Sequence, residues 1–516
     1  MYLYILTLFV SAIAVFLVQP MFSRMILPLY GGSPSVWTTA MLFFQTALLA
    51  GYFYAHLLAA RLSLKVQLGL HGLILALGAL LLPVIPRPEI NPFAGADFVP
   101  AELLGLMLVS VGLPFVIVSA TAPCLQRWFS HTDHPQAADP YFLYAASNVG
   151  SILALLGYPF LVEPLVGLGR QAALWSGVYA LLFALVLASG FWALRHQRAG
   201  DPQGGGEEAD VLRGAARRPI LFWLVLSAIP SALLHATTLH ITTDIATAPL
   251  LWVVPLTLYL LTFVLAFARR QILPADIVLR YLVPIPVLLA ILTISLPLVW
   301  LFGLVVALAL LFILTLACHQ RLASLRPDAS GLTLFYLVMA TGGVVGGVFA
   351  TLLAPVLFTR QYEFPLLIAA SLVVLPAAAP SIDRRWWLWL PLALLVAAAG
   401  LALHWFELGR IAIILFLLLV LVGGTAFKNA PRGLAAIFAG AVIGLWAVKD
   451  NHVLERERSF FGIYTVASDE DEATGPASGS ATARPCMACS RSIPTCATRR
   501  FPITIPTGRS VRSCRK

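Results

Sequence analysis

From Tyr2 to Val18 only Thr7 and Ser11 interrupt an apolar run, and the same pattern recurs almost to the end of the chain. A helix needs about 20 apolar residues to cross a bilayer. The runs predict spans near 2–19, 36–60, 66–86, 102–124, 141–162, 171–194, 219–240, 248–268, 276–296, 298–318, 331–356, 362–380, 385–404, 410–427 and 433–448. The first lacks a basic start and a small-residue cleavage site, so it reads as a spanning helix rather than a leader. A loop carrying Arg24 is expected after it.

Polar breaks divide this series. The longest before the tail, 196–218, contains Gly204, Gly205 and Gly206 and reads as a flexible cytoplasmic linker. The organisation expected is a six-helix repeat at 1–195, the linker at 196–218, a second six-helix repeat at 219–380 and additional transmembrane helices at 381–450. The fold class is all-α and polytopic: a major-facilitator-like twelve-helix core plus two or three further helices.

Composition supports this. Of 516 residues 60% are hydrophobic and 11% charged, where soluble domains carry about 25% charged residues. The net charge of +10 is no nucleic-acid signal, because 473–516 supplies eight basic and no acidic residues. No nucleic-acid partner, cofactor or metal is expected. Cys486 and Cys489 form one C-x2-C with no histidine after it, short of the four ligands of a structural zinc. With Met1 inside, Arg and Lys number 17 on the cytoplasmic side and 5 opposite. That places the N-terminus in the cytoplasm.

The two halves resemble each other. Pro34 and Trp37 align with Pro249 and Trp252 at an offset of 215. "CLQR" (Cys124–Arg127) parallels "CHQR" (Cys318–Arg321), and Tyr144 and Gly150 parallel Tyr336 and Gly342, at offsets of 192 to 194. Two six-helix repeats of one orientation are the major-facilitator arrangement.

Four blocks carry a family resemblance: "VQPMFSRMILPLYGGSPSVWTTAMLFFQTALLAGYFYAH", "SATAPCLQRWFSHTDHPQAADPYFLYAASNVGSILALLGYPFLVEP", "HITTDIATAPLLWVVPLTLYLLTFVLAF" and "FYLVMATGGVVGGVFATLLAPVLF". They resemble bacterial fused proteins that join a major-facilitator-like membrane part to a spermidine-synthase-like domain. The resemblance implies an inner-membrane, multi-pass protein with a polyamine-related role. It also implies a strand at "RSFFGIYTV" leading into an aminopropyltransferase-type domain, so that 451–472 would begin that domain. It stops near Asp471. The glycine-rich turn and acidic residues of such a domain have no counterpart in 473–516. No aminopropyl transfer is therefore expected of this chain.

Plausible codons for "ATARPCMACS", read one frame over, spell HGTTLHGMQ, and the shifted text continues to resemble the family's soluble domain. The segment 473–516 is thus expected to be a disordered, frameshifted tail. A genuine disordered tail is the rival reading.

Ionisable and amide groups inside spans are costly and mark candidate functional positions. The candidates for a cavity or gate are Gln19, Arg24, Gln45, Arg127, Asn148, His235, Asp244, His319 and Arg321. His235, His240 and Asp244 either line a cavity or sit where helix 7 ends, with "HITTD" suited to an unwound segment. Arg127 and Arg321, equivalent in the repeat, either snorkel to lipid phosphates or form a gate at the cytoplasmic mouth. Asn148 bonds a neighbouring helix or touches substrate, and Glu163 is interfacial. Gly342/Gly346 and Gly343/Gly347 read as small-residue pairs that let helices approach.

The main functional reading is the membrane module of a fused spermidine-synthase-like protein. The alternatives are a major-facilitator-type transporter of a small solute, or a membrane anchor. The partners expected are the lipid bilayer and a small solute. The sequence leaves the oligomeric state open.

Overall fold

The computed structural model describes residues 1–137, 142–197, 217–245, 253–268, 272–295, 300–327, 332–376, 389–405, 410–427, 429–449, 453–459, 462–468, 481–484, 502–504 and 510–512. Their dominant element is a run of apolar helices. The first half holds α1 (Tyr2–Tyr30), α2 (Pro34–Arg61), α3 (Leu64–Ala79), α4 (Val99–Ser130), α5 (142–165) and α6 (Leu168–Arg195). The second holds α7 (217–245), α8 (Val253–Ala266), α9 (275–295), α10 (Trp300–Ser324), α11 (332–357) and α12 (Glu363–Val374). Then follow α13 (Trp389–Trp405), α14 (Arg410–Ala426) and α15 (Pro431–Lys449). Among the described residues nine helices are long and apolar enough to cross a bilayer by themselves, and six apolar helices are shorter. The protein is an all-α, multi-pass membrane protein.

Two local features depart from the sequence reading. Helix α1 continues to Tyr30 through Pro20 and Pro28, so Arg24 lies on a helix and not in a loop. Proline inside a buried membrane helix is tolerated because neighbouring groups satisfy the freed backbone. Gly31, at φ 79°, ends α1 by donating its N–H to the Leu27 carbonyl, and Pro34 opens α2 three residues later. "HITTD" is likewise not unwound: Ile241–Ile245 is a π-helical turn continuous with α7. The hydroxyl of Thr242 donates to the Thr238 carbonyl at 2.7 Å, which holds that turn to the one before it.

The halves repeat each other in three dimensions. Helix α1 packs on α4, α5 and α6 as α7 packs on α10, α11 and α12, and α2 packs on α4 as α8 does on α10. The match extends to single atoms. A Cβ built on Gly150 would lie 2.7 Å from the Phe9 carbonyl oxygen and 3.2 Å from Ala12 Cβ. One built on Gly342 would lie 2.6 Å from the Leu224 carbonyl oxygen and against Ser227 Oγ. Phe9 to Leu224 and Ala12 to Ser227 are both offsets of 215, and Gly150 to Gly342 is 192. Both halves therefore place a glycine at this position of their fifth helix to seat it on the backbone of their first. They meet along α2 against α11 and α5 against α8, contacts that exchange when the halves are exchanged. This is the major-facilitator-like arrangement of parallel repeats.

Helices α13 and α15 pack tightly together, Gly400 facing Gly444, and α15 lies on α9 and α12 of the second half. After α15 come the antiparallel strands β1 (Val453–Ser459) and β2 (Gly462–Ser468), with Arg458 opposite Ile463. β3 (Ala481–Arg484) pairs with β2, and β4 (Pro502–Thr504) pairs with β5 (Ser510–Arg512). The remainder of 473–516 lies outside the described residues.

Candidate functional site

At the seam between the halves, polar groups from three helices meet. On α7, Ser231 follows Pro230, and its hydroxyl donates to the Gly343 carbonyl of α11 at 2.8 Å. The same hydroxyl accepts from Gln45 Nε2 of α2 at 3.2 Å. One turn on, His235 Nδ1 lies 2.9 Å from the Ser231 carbonyl. A carbonyl only accepts, so Nδ1 carries the proton and donates. His235 is 1% exposed, and its Nε2 has no hydrogen-bond partner among the described residues. A buried polar atom left unpaired costs about 1–3 kcal/mol.

Gly347 of α11 makes room for this group. A Cβ there would lie 2.6 Å from Gln45 Oε1, 3.1 Å from Leu42 Cδ1 and 3.4 Å from His235 Cε1. The glycine leaves a notch whose walls are the Gln45 amide, the His235 ring and an apolar side chain. Gln45 crosses from the first half to the second, so any relative motion of the halves must break or carry its bond to Ser231.

Nearer one end of the bundle, the hydroxyl of Tyr336 (α11) lies 3.5 Å from Gln126 Oε1 (α4), at the outer limit of a hydrogen bond. The rings of Tyr52 (α2) and Tyr336 stand 6.2 Å apart. Gln320, the repeat equivalent of Gln126, donates instead to the Leu273 carbonyl at 2.7 Å.

The other candidate residues are spread over the molecule. Gln19 is buried and donates to the Val15 carbonyl of its own helix at 3.2 Å. Arg24 pairs with Glu163 across α1 and α5 at 2.9 Å. Asn148 is buried in α5. His319 lies inside the second half: Thr262 Oγ1 donates to the Tyr259 carbonyl at 2.6 Å and accepts from His319 Nδ1 at 2.8 Å. The imidazole stacks on Phe263 at 3.7 Å between centroids. Arg127 is half-buried and Arg321 exposed, at equivalent helix ends. Gly342 and Gly346 both face α7, Gly346 against the Ala228 carbonyl. A Cβ on Gly343 would meet nothing within 4 Å, so its place is set by its carbonyl's bond to Ser231 and not by a close helix approach. His240 stacks on Phe364 of α12 at 4.6 Å. The side chain of Asp244 lies outside the described residues.

Among the described residues, Glu163 and Glu363 are both held in ion pairs. Besides Arg24–Glu163, Glu363 at the start of α12 is held by Arg458 of β1. Arg458 Nη2 lies 2.6 Å from Glu363 Oε1, and Nη1 lies 3.1 Å from Oε2 and 3.0 Å from the Arg360 carbonyl oxygen. Their side chains are 4% and 1% exposed.

Ser231, Gln126, Tyr336 and the Glu363–Arg458 pair escaped the sequence reading. Gln126 and Gln320 were visible inside the repeated "CLQR" and "CHQR". Glu363 was visible as a carboxylate opening an apolar run. Ser231 gives no such sign, since a serine beside a proline in an apolar helix is ordinary.

No protein-family pattern matches the chain, and no curated protein matches it. Among solved structures it is similar to a POT family transporter in complex with a thioalcohol conjugated peptide, at 12% identity and a TM-score of 0.44, covering 71% of this chain and 93% of that one. It is also similar to a bacterial homolog of the human lysosomal transporter Spinster, inward-facing and unoccupied, at 15% identity and a TM-score of 0.40, covering 87% of this chain and 96% of that one. The assignment of two equivalent halves stands on the internal contacts of this chain.

Proposed function

We propose that the protein is a secondary transporter in which two six-helix halves rock about their seam to expose a central site for a small solute to one side of the membrane and then the other. The observation that carries this reading is the hydrogen-bonded group Gln45–Ser231–His235 between the halves. Polar groups at the interface of two parallel repeats are where transporters of this architecture bind, and polar groups at membrane depth are costly unless they act. The surplus of Arg and Lys on the Met1 side supports a cytoplasmic N-terminus in a bacterial inner membrane.

The test is uptake by proteoliposomes of a labelled panel of polyamines, amino acids and short peptides. Uptake of one class, lost on Gln45→Leu, is the result expected. Equal flux in liposomes lacking the protein, for every solute, would overturn the reading.

A second reading has its own support. "RSFFGIYTV", which resembles the start of a spermidine-synthase-like domain and is expected as one strand, instead falls at the end of β1 (458–459) and in β2 (462–466), and β1 is tied to α12 through Arg458. That suits a membrane module presenting a soluble unit beside the second half, with the sequence after 472 frameshifted. Reading the gene's DNA beyond codon 472 tests it: an unbroken frame encoding the present tail would end the frameshift idea.

A further inference from the structure

We propose that His235 Nε2 is a proton-binding atom, and that it takes up its proton only when the seam opens to water, so that opening and protonation are linked. The proposal rests on the transporter reading and names an ion that the seam would respond to.

In the packed seam the imidazole is committed on one side only. Nδ1 donates to the Ser231 carbonyl, which leaves Nε2 as a bare lone pair. The ring is 1% exposed, and among the described residues nothing partners Nε2. Adding a proton there would create an imidazolium with a new N–H and nothing to accept it, deep among helices where an uncompensated charge is expensive. Opening the seam lets water reach Nε2. The lone pair then gains a proton from solvent, Nδ1–H keeps its bond to the Ser231 carbonyl, and the ring carries one positive charge. A group that binds a proton in one arrangement and refuses it in the other biases the equilibrium between them, and the bias is reciprocal.

The ionisable groups on the helices packed against α7 are engaged elsewhere or stand at a distance. On α12, Glu363 is held by Arg458. On α10, His319 bonds Thr262, Cys318 is buried and Arg321 is exposed at the helix end. On α8, Tyr259 meets the His319 ring edge-on. On α11, Tyr336 faces Gln126. Tyr52 on α2 stands about two turns beyond Gln45, with Tyr54, His56 and Arg61 further still. On α7 itself, His240 stacks on Phe364, Arg217 and Arg218 stand at the far end, and the Asp244 side chain lies outside the described residues. No carboxylate among the described residues bonds His235, so protonation there leaves a net charge that only solvent can settle.

The experiment uses the full chain in nanodiscs with its six cysteines replaced by alanine. Spin labels go at the exposed positions Lys65→Cys on α3 and Ser324→Cys on α10, which lie at helix ends on the same side of the bundle. Pulsed dipolar distances are recorded from about pH 8 to about pH 5, around the ordinary histidine range. The expected result is a second distance whose share rises about fivefold or more as pH falls, with a flat response in His235→Gln. Ser231→Ala should keep the response, because the acceptor for Nδ1 is a backbone carbonyl.

In the protein with His235 intact, the 15N-histidine signal of His235, assigned through Ala236 because His-Ala occurs once in the sequence with its ten histidines, should turn to imidazolium in step with the second distance. This readout stands even if His235→Gln fails to fold. A pH response that survives in His235→Gln, or a His235 imidazolium signal that grows with no second distance, overturns the proposal. A second distance with an equal share at both pH values overturns the proton linkage and leaves the transporter reading standing. A single rigid distance under all conditions overturns both.

Discussion

The guanidinium of Arg458 and the carboxylate of Glu363 form a two-pronged ion pair, 95 residues apart in sequence and almost wholly enclosed. It fastens the strand that follows the last membrane helix to the start of α12. The backbone carbonyl of Arg360 accepts a further bond from the same guanidinium, so the cation is matched on both prongs. Removing one member of an enclosed pair leaves the other charge unmatched, which costs about 3–5 kcal/mol. Glu363→Gln should therefore release β1 and β2 from the helix bundle. Faster amide exchange across 453–468, with α1 to α6 unchanged, is the result expected. The double variant Glu363→Met with Arg458→Leu should restore most of the protection, since matched apolar replacements of such pairs are often neutral.

The same pair fixes a relation between two stretches of chain. Four helices, α12 to α15, lie between Glu363 and β1, and four crossings return the chain to the side it left. Single cysteines at the exposed positions Thr359 and Glu457 should react with an impermeant maleimide from the same side of sealed vesicles. Reaction from opposite sides would mean that one of α12–α15 does not cross.

Gly343 and Gly346 should differ sharply although they lie one turn apart. Gly346→Ala would push a methyl group into the Ala228 carbonyl and to 2.8 Å from the Ala232 nitrogen. Such overpacking costs about 1–3 kcal/mol. Gly343→Ala meets nothing and should leave the melting temperature in detergent unchanged or slightly raised, because alanine is the better helix former. Similar losses in both variants would contradict the packing described.

Thr262→Val should destabilise the second half by about 1–3 kcal/mol, the cost of stranding the enclosed His319 Nδ1–H. Thr262→Ser keeps the hydroxyl and should recover most of that loss. Thermal unfolding in detergent reads both.

Arg24→Gln should do little. Its pair with Glu163 leaves the two side chains 36% and 21% exposed, and ion pairs open to solvent contribute about 0–1 kcal/mol. A fall in stability comparable to that of Glu363→Gln would mean that the environment of Arg24 is far less accessible than the structure shows.

The helix order and the duplicated halves were legible because apolar length and repeated motifs report them directly. Gly150 and Gly342 marked a position that the fold does use twice, whereas Pro249 and Trp252, the partners of Pro34 and Trp37, lie outside the described residues. The end of α1 was misplaced because Gln19 and Pro20 read as polar and breaking, whereas α1 holds Gln19 on its own carbonyl and lets proline pass. Gln45 and His235 could be picked out singly as polar groups in apolar runs. Their meeting could not, since it depends on the rotation of α2 and α7 about their axes, and the smooth apolar character of membrane helices hides that rotation. Ser231 joins them, and nothing in its own neighbourhood marks it. The pairing of Glu363 with Arg458 was hidden by distance along the chain.

The five-residue π-turns at Tyr158–Val162 and Phe349–Leu353 fall within one residue of matching places in α5 and α11, 191 residues apart where Gly150 and Gly342 are 192 apart. A π-turn within an α-helix is most simply one inserted residue. Two insertions at one homologous place are best read as a single event that was copied. The ancestral half-length gene would then have acquired its extra residue before it doubled, and both descendants have kept the π-turn through all the divergence that separates them.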